Sequence, residues 1–158
     1  MRFLLEKIGW RERRKFAAEV QPLVELLKDI ECPICRMKKL REIGFEPFAP
    51  QGPEPNNCDS LDAPPLKRGK VVAKISRLFE PLGIDHDMIA PSVFFFRGQI
   101  LEKPVAAMED KFVFTLQALC EPITDAECDE IDNTEFEISD MHSGNYGVYN
   151  GTLAIIDF

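Results

Sequence analysis

Prolines at positions 47, 50, 53, 55, 64 and 65 limit the fold more than any other feature of this sequence. Proline lacks the N–H that a helical turn or a central strand must donate. The stretch FEPFAPQGPEPNNCDSLDAPPLKRG therefore reads as a loop or an extended linker, with neither helix nor central strand inside it. It separates an N-terminal helical segment at 1–48 from a second body at 70–158, with the linker at 49–69. At 158 residues the chain is long enough for one domain with its own core and short for two.

Before the linker the apolar spacing is helical. Leu4, Leu5, Ile8, Phe16, Val20, Leu23, Leu27 and Ile30 recur every three or four residues, which predicts helix over 1–30, with Gly9 and Pro22 as points of bending or breakage. A second helix is expected over 33–43, opened by Pro33 and stopped by Gly44.

After the linker the period shortens. KVVAKI at 70–75 reads as a strand and SRLFEPLG at 76–83 as a short helix. Residues 91–105 read as a hairpin turning at Arg97-Gly98. Phe112, Leu116 and Leu119 predict a helix over 108–120. Thr124 followed by Glu127 is a capping box that opens a helix over 124–133. FEI at 136–138 is expected as a strand, and YGVYNGTLAIID as a hairpin turning at Asn150-Gly151. The mixture is that of an α+β protein.

Charge is distributed unevenly. Residues 1–48 carry 11 basic and 8 acidic side chains, whereas residues 121–158 carry 10 acidic side chains and no basic one. Such a C-terminal stretch repels nucleic acid and attracts cations. WRERRK at 10–15 reads as the solvated face of an amphipathic helix. No apolar run approaches the roughly 20 residues needed to span a bilayer, and the start lacks the pattern of a signal peptide. A cytoplasmic protein without membrane or nucleic-acid partners is expected. Five cysteines, an odd number, argue against a closed disulfide framework. Cys32 and Cys35 have the C-x-x-C spacing of a zinc or redox pair. The nearest further ligands, Cys58 and His86, form no second pair, so plain, partly buried thiols are expected.

The chemistry concentrates at the end, in ISDMHSGNYGVYNGTLAIIDF. Asp140 and Asn145 lie five residues apart on one loop. The turn at 150–151 brings Asp157 back alongside Asn145. An amide oxygen and a carboxylate converging in this way suit Mg²⁺, which takes phosphate oxygens and water for its other positions. The remaining acid, Asp140, is free to orient an attacking hydroxyl, and together these are the parts that phosphoryl transfer needs.

D-M-H-S-G-N followed by L-A-I-I-D-F resembles the catalytic loop and metal-binding Asp-Phe of the protein-kinase-like fold. The D-x-H-x-G-N form is similar to that of aminoglycoside phosphotransferases and of bacteriophage-encoded serine/threonine kinases. The resemblance implies a reduced kinase-like module that binds ATP and Mg²⁺ and transfers phosphate to a host protein. It makes Asp140 the catalytic base, gives His142 contact with the transferred phosphate or support of the loop, and makes Asn145 and Asp157 the metal ligands. KVVAKI resembles the lysine-bearing strand of that fold, which gives Lys74 the phosphates, with Lys70 as a rival and Glu80 as the acid expected to pair with it. Leu101–Val105 would then be the hinge beside adenine. The sequence departs from the family in three places. No Gly-rich loop precedes KVVAKI, Ile138-Ser139 replaces the usual His-Arg, and the sequence stops at Phe158, which is expected to pack among Phe94–Phe96 or Leu78–Phe79, or against a partner chain. The alternative implied by these departures is a catalytically inactive binding or inhibitory module, or a component of a larger assembly.

Overall fold

A computed structural model describes residues 2–48, 63–78, 86–131 and 143–156. Three helices come first: α1 (Trp10–Glu19), α2 (Gln21–Leu27) and α3 (Pro33–Glu42). Strands β1 (Glu46–Pro47), β2 (Leu66–Arg68), β3 (Val71–Leu78), β4 (Ser92–Phe96), β5 (Gln99–Leu101) and β6 (Lys111–Ala118) follow, then β7 (Glu121–Pro122), α4 (Asp125–Ile131), β8 (Tyr146–Tyr149) and β9 (Thr152–Ile155). Among the described residues the strands form a six-stranded antiparallel sheet, in the order β1-β2-β3-β6-β4-β5, and a three-stranded sheet, β7-β8-β9. The class is α+β.

The helices before the linker share a core with the sheet after it. Phe16, Val20, Leu23, Leu27, Met37 and Leu40 pack on Ala73, Val93, Phe95, Phe114 and Leu116. Side chains alternate along a strand. With Ala73 under the helices, its neighbours Val72 and Lys74 therefore face the other side of the sheet. A second core, built around Phe3, Ile131, Tyr146, Val148 and Leu153, lies within the small sheet.

Local turn chemistry behaves as expected. Gly44, at φ +102°, ends α3. Arg97-Gly98 and Asn150-Gly151 both turn with positive φ at each residue, the geometry of tight hairpins. Thr124 Oγ1 accepts from the Glu127 amide at 3.1 Å, and Glu127 Oε1 accepts from the Thr124 amide at 3.1 Å, which closes the capping box reciprocally. Thr124→Ala should therefore cost about 1 kcal/mol in chemical denaturation. A change within experimental error would mean that α4 does not depend on its cap.

Four expectations are corrected. Residues 108–120 hold a strand, β6, where a helix was expected. Its apolar spacing arises because β6 sits between β3 and β4 and is buried on both faces from Val113 to Ala118. Residues 2–9 are not helical. Phe3 and Ile8 are buried while Leu4 bridges to Thr152, so this segment and the Ile89–Ile155 bridge cover the edge of β9. Ser76–Leu78 continue β3 as strand. The end of the proline-rich stretch is also strand: β2 pairs with β3 and buries Leu66, while Pro47 is tolerated because β1 is an edge strand. The strand expected at 136–138 and the residues Glu80 and Phe158 lie outside the described residues.

Candidate functional site

The face of the large sheet opposite the helices and the small sheet border a cleft. The chain passes from one sheet to the other at Leu119–Cys120, between the end of β6 and the start of β7. One lobe of the cleft, of 470 Å³, is lined by Val72, Lys74 and Gln117. The other, of 820 Å³, is lined by Lys70, Tyr146 and Tyr149. Ala118, Leu119, Cys120, Gly144, Ile156 and Phe48 border both lobes. Leu101–Val105, expected as the hinge, leaves the outer β4–β5 hairpin, and the crossing that borders the cleft is Leu119–Glu121.

Lys74 reaches into this cleft from β3, opposite Thr115 of β6. Its ammonium donates to the backbone carbonyl of Ile156. The Ile156 amide in turn donates to the Asn145 carbonyl at 2.9 Å. Asn145 ends a single 3₁₀ turn, Ser143–Asn145, that leads into β8, and it is only 5% exposed. The structure therefore joins two of the sequence-predicted residues, Lys74 and Asn145, through Ile156, the residue that precedes Asp157. Lys70 lines the outer lobe, and its carbonyl accepts from the Leu119 amide at 2.8 Å. Asp140, His142 and Asp157 lie outside the described residues.

Two residues important to the cleft were not singled out in the sequence. Gly147 lies where β8 meets the crossing segment, and a Cβ there would fall 2.5 Å from Cys120 Cβ and 3.2 Å from the Glu121 carbonyl. Cys120 borders the cleft beside Lys74. Burial pushes its thiol up from an ordinary 9.0 to about 12, against the opposing pull of the Lys74 charge. The only sequence signal for either was Leu119-Cys120 at the end of an apolar run, just before Glu121-Pro122.

The sign of the Cys120 shift defines a pH window. A thiol harder to ionise when folded gives stability that is complete below 9.0 and is lost as pH rises toward about 12. Cys120→Ala should flatten the alkaline end of the stability profile. Iodoacetamide should modify Cys120 slowly at pH 8, since only the thiolate reacts. Modification as fast as that of a free thiol would contradict the burial.

Tyr149 ties the small sheet to α1. Its hydroxyl donates to Glu12 Oε2 at 3.2 Å, and burial followed by that carboxylate raises its pKa to about 12. Among the described residues no group of three or more His, Cys, Asp or Glu side chains converges as a metal site. Cys32 stands at the N-cap position of α3, Cys35 lies in its first turn, and Cys58 is outside the described residues. The described donors still suit a nucleotide and Mg²⁺ chemically: Lys74 brings a cation to the cleft lining, and Asn145, the buried residue after Gly144 of that lining, carries a hard amide oxygen. No helix among the described residues is long and apolar enough to cross a membrane. No family model matches this chain, and no curated protein or solved structure matches it.

Proposed function

We propose that the chain is a reduced protein-kinase-like module, encoded by a bacteriophage and acting in the host cytoplasm, that binds ATP with Mg²⁺ between its two sheets and transfers phosphate to a host protein. The observation that carries this reading is the pair of hydrogen bonds through Ile156. It connects the lysine of β3 with the asparagine of D-M-H-S-G-N at the residue before the Asp-Phe. Three short stretches far apart in sequence, each chosen for its chemistry, meet at one cleft.

In this reading Val72 and Leu119 offer apolar surface to the base, and Lys74 holds phosphate oxygens. Asn145 and Asp157 would hold Mg²⁺, which neutralises charge on the phosphates when bound. Asp140 accepts the proton of the attacking hydroxyl, and His142 steadies the loop or touches the transferred group. The acidic stretch from 121 onward disfavours nucleic acid as a substrate.

A second reading, an inactive binding or inhibitory module, draws on the same lysine. Its ammonium already has a protein acceptor in the Ile156 carbonyl, and a phosphate would have to displace it. Calorimetry with ATP, with and without Mg²⁺, followed by a phosphotransfer assay on host extract, separates the two. The kinase reading expects Mg²⁺-dependent binding that Asp157→Ala and Lys74→Ala each weaken by tenfold or more, with both variants folded. Unchanged binding in Asp157→Ala removes the metal role. Binding without transfer supports the inactive module.

A further inference from the structure

On the helix-covered face of the large sheet, away from the cleft, a groove of 590 Å³ opens between the α2–α3 connection and the β4–β5 hairpin. We propose that this groove binds a small organic monocarboxylate with an aromatic or branched aliphatic body, held by a fork of hydrogen bonds from Arg36.

Arg36 lies over a pair of rings packed edge to face. Phe95 and Phe114 meet edge to face at 5.0 Å, and the Arg36 guanidinium lies 4.8 Å from the first ring centre and 5.5 Å from the second. Its Nε donates to the Leu27 carbonyl at 3.3 Å. That bond and the ring contacts use one edge and one face of the guanidinium, and they leave the two terminal nitrogens without an acceptor among the described residues. Burial draws the pKa of Arg36 downward, yet arginine stays charged in proteins. A half-buried guanidinium without a carboxylate partner is costly, and a planar anion answers it with two parallel hydrogen bonds.

The remaining charges of the lining cancel. In formal charge Lys28 and Arg97 of the lining equal Asp29 and Glu31, with Lys28 itself held by Glu25 at 2.7 Å, and the charge of Arg36 is left over to match a monoanion. The body of the ligand is specified by the walls. Phe96, Ile100 and Phe112 line the groove, and Ile100 and Phe112 stay exposed although both are large and apolar. The volume falls within the range of small-molecule sites, about 300–1,000 Å³. The lysine-lined cleft on the other face plays no part in this proposal.

The test compares two neutral-to-anion isosteres on the full-length chain. 3-Phenylpropionate and 3-phenylpropanamide are titrated into isotopically labelled protein, with the Arg36 Nε–Hε and the Ile100 methyl signals followed by NMR. The acid should bind about tenfold more tightly than the amide, as a charge-assisted pair does over a neutral one, and both signals should move together. Arg36→Gln should bring the acid down to the affinity of the amide. Equal binding of acid and amide to the wild-type protein overturns the proposal, and so does a dissociation constant for the acid weaker than about 10 mM. Shifts confined to other residues overturn it as well. The wild-type comparison decides the matter even where Arg36→Gln fails to fold.

Discussion

Phe114→Ala should lower the unfolding free energy by about 3–5 kcal/mol. Phe114 is 1% exposed and pairs with Ile75 of β3 on one side and Phe95 of β4 on the other. Its ring fills the layer between the sheet and the helices, with Arg36 above it. Removing it takes away packing from both and opens a cavity that a three-strand centre cannot collapse to fill. Phe112 makes the comparison decisive. It lies two residues away on the same face, yet it is 48% exposed, with the Arg77 guanidinium 5.6 Å from its ring centre. Phe112→Ala should cost less than about 1 kcal/mol. A helix over 108–120 would reverse the order, because its apolar stripe runs through Phe112 and leaves Phe114 off it. Urea denaturation of the two variants therefore tests the strand and its burial together.

That reversal shows where the sequence was legible. Features decided within a few residues could be read directly. Gly44 stops a helix because it alone takes φ +102° cheaply, and Asn150-Gly151 turns a hairpin for the same reason. The Thr124–Glu127 box closes as its spacing requires. Features decided by distant partners could not be read. β6 is buried on both faces from Val113 onward, so it shows no alternation, and its Phe112 and Leu116, with Leu119 just beyond it, mimic a helical period. Leu4 looks like the start of an amphipathic helix, but it bridges to Thr152 at the other end of the chain. The same division holds at the site. Lys74 and Asn145 were recognisable from local pattern, whereas their meeting at Ile156 depends on how two sheets pack. Cys120 and Gly147 matter only because of that packing, and locally nothing beyond the end of an apolar run before Glu121-Pro122 points to either.

Gly147→Ala should destabilise the fold by about 1–3 kcal/mol, toward the upper end, because the added methyl meets atoms that cannot rotate away. The backbone angle at Gly147 is one that alanine adopts, so the cost is one of space. The new Cβ would stand 2.5 Å from Cys120 Cβ, 3.2 Å from the Glu121 carbonyl oxygen and 3.4 Å from Ile156 Cγ2. Two of these belong to the crossing segment and the third to the residue that links Lys74 with Asn145. Gly147 pairs with Pro122 on one side and Ala154 on the other, so β8 has no room to retreat. Relief must come from moving the crossing segment into the cleft. Two consequences follow: Cys120 becomes more reactive toward iodoacetamide, and ATP affinity falls if the cleft is a nucleotide site. Cys120→Gly removes the nearest of the three atoms. In that background Gly147→Ala should cost at least about 1 kcal/mol less than in the wild type, a coupling a double-mutant cycle resolves. Strict additivity of the two substitutions would show that the small sheet and the crossing segment are not in contact at this point.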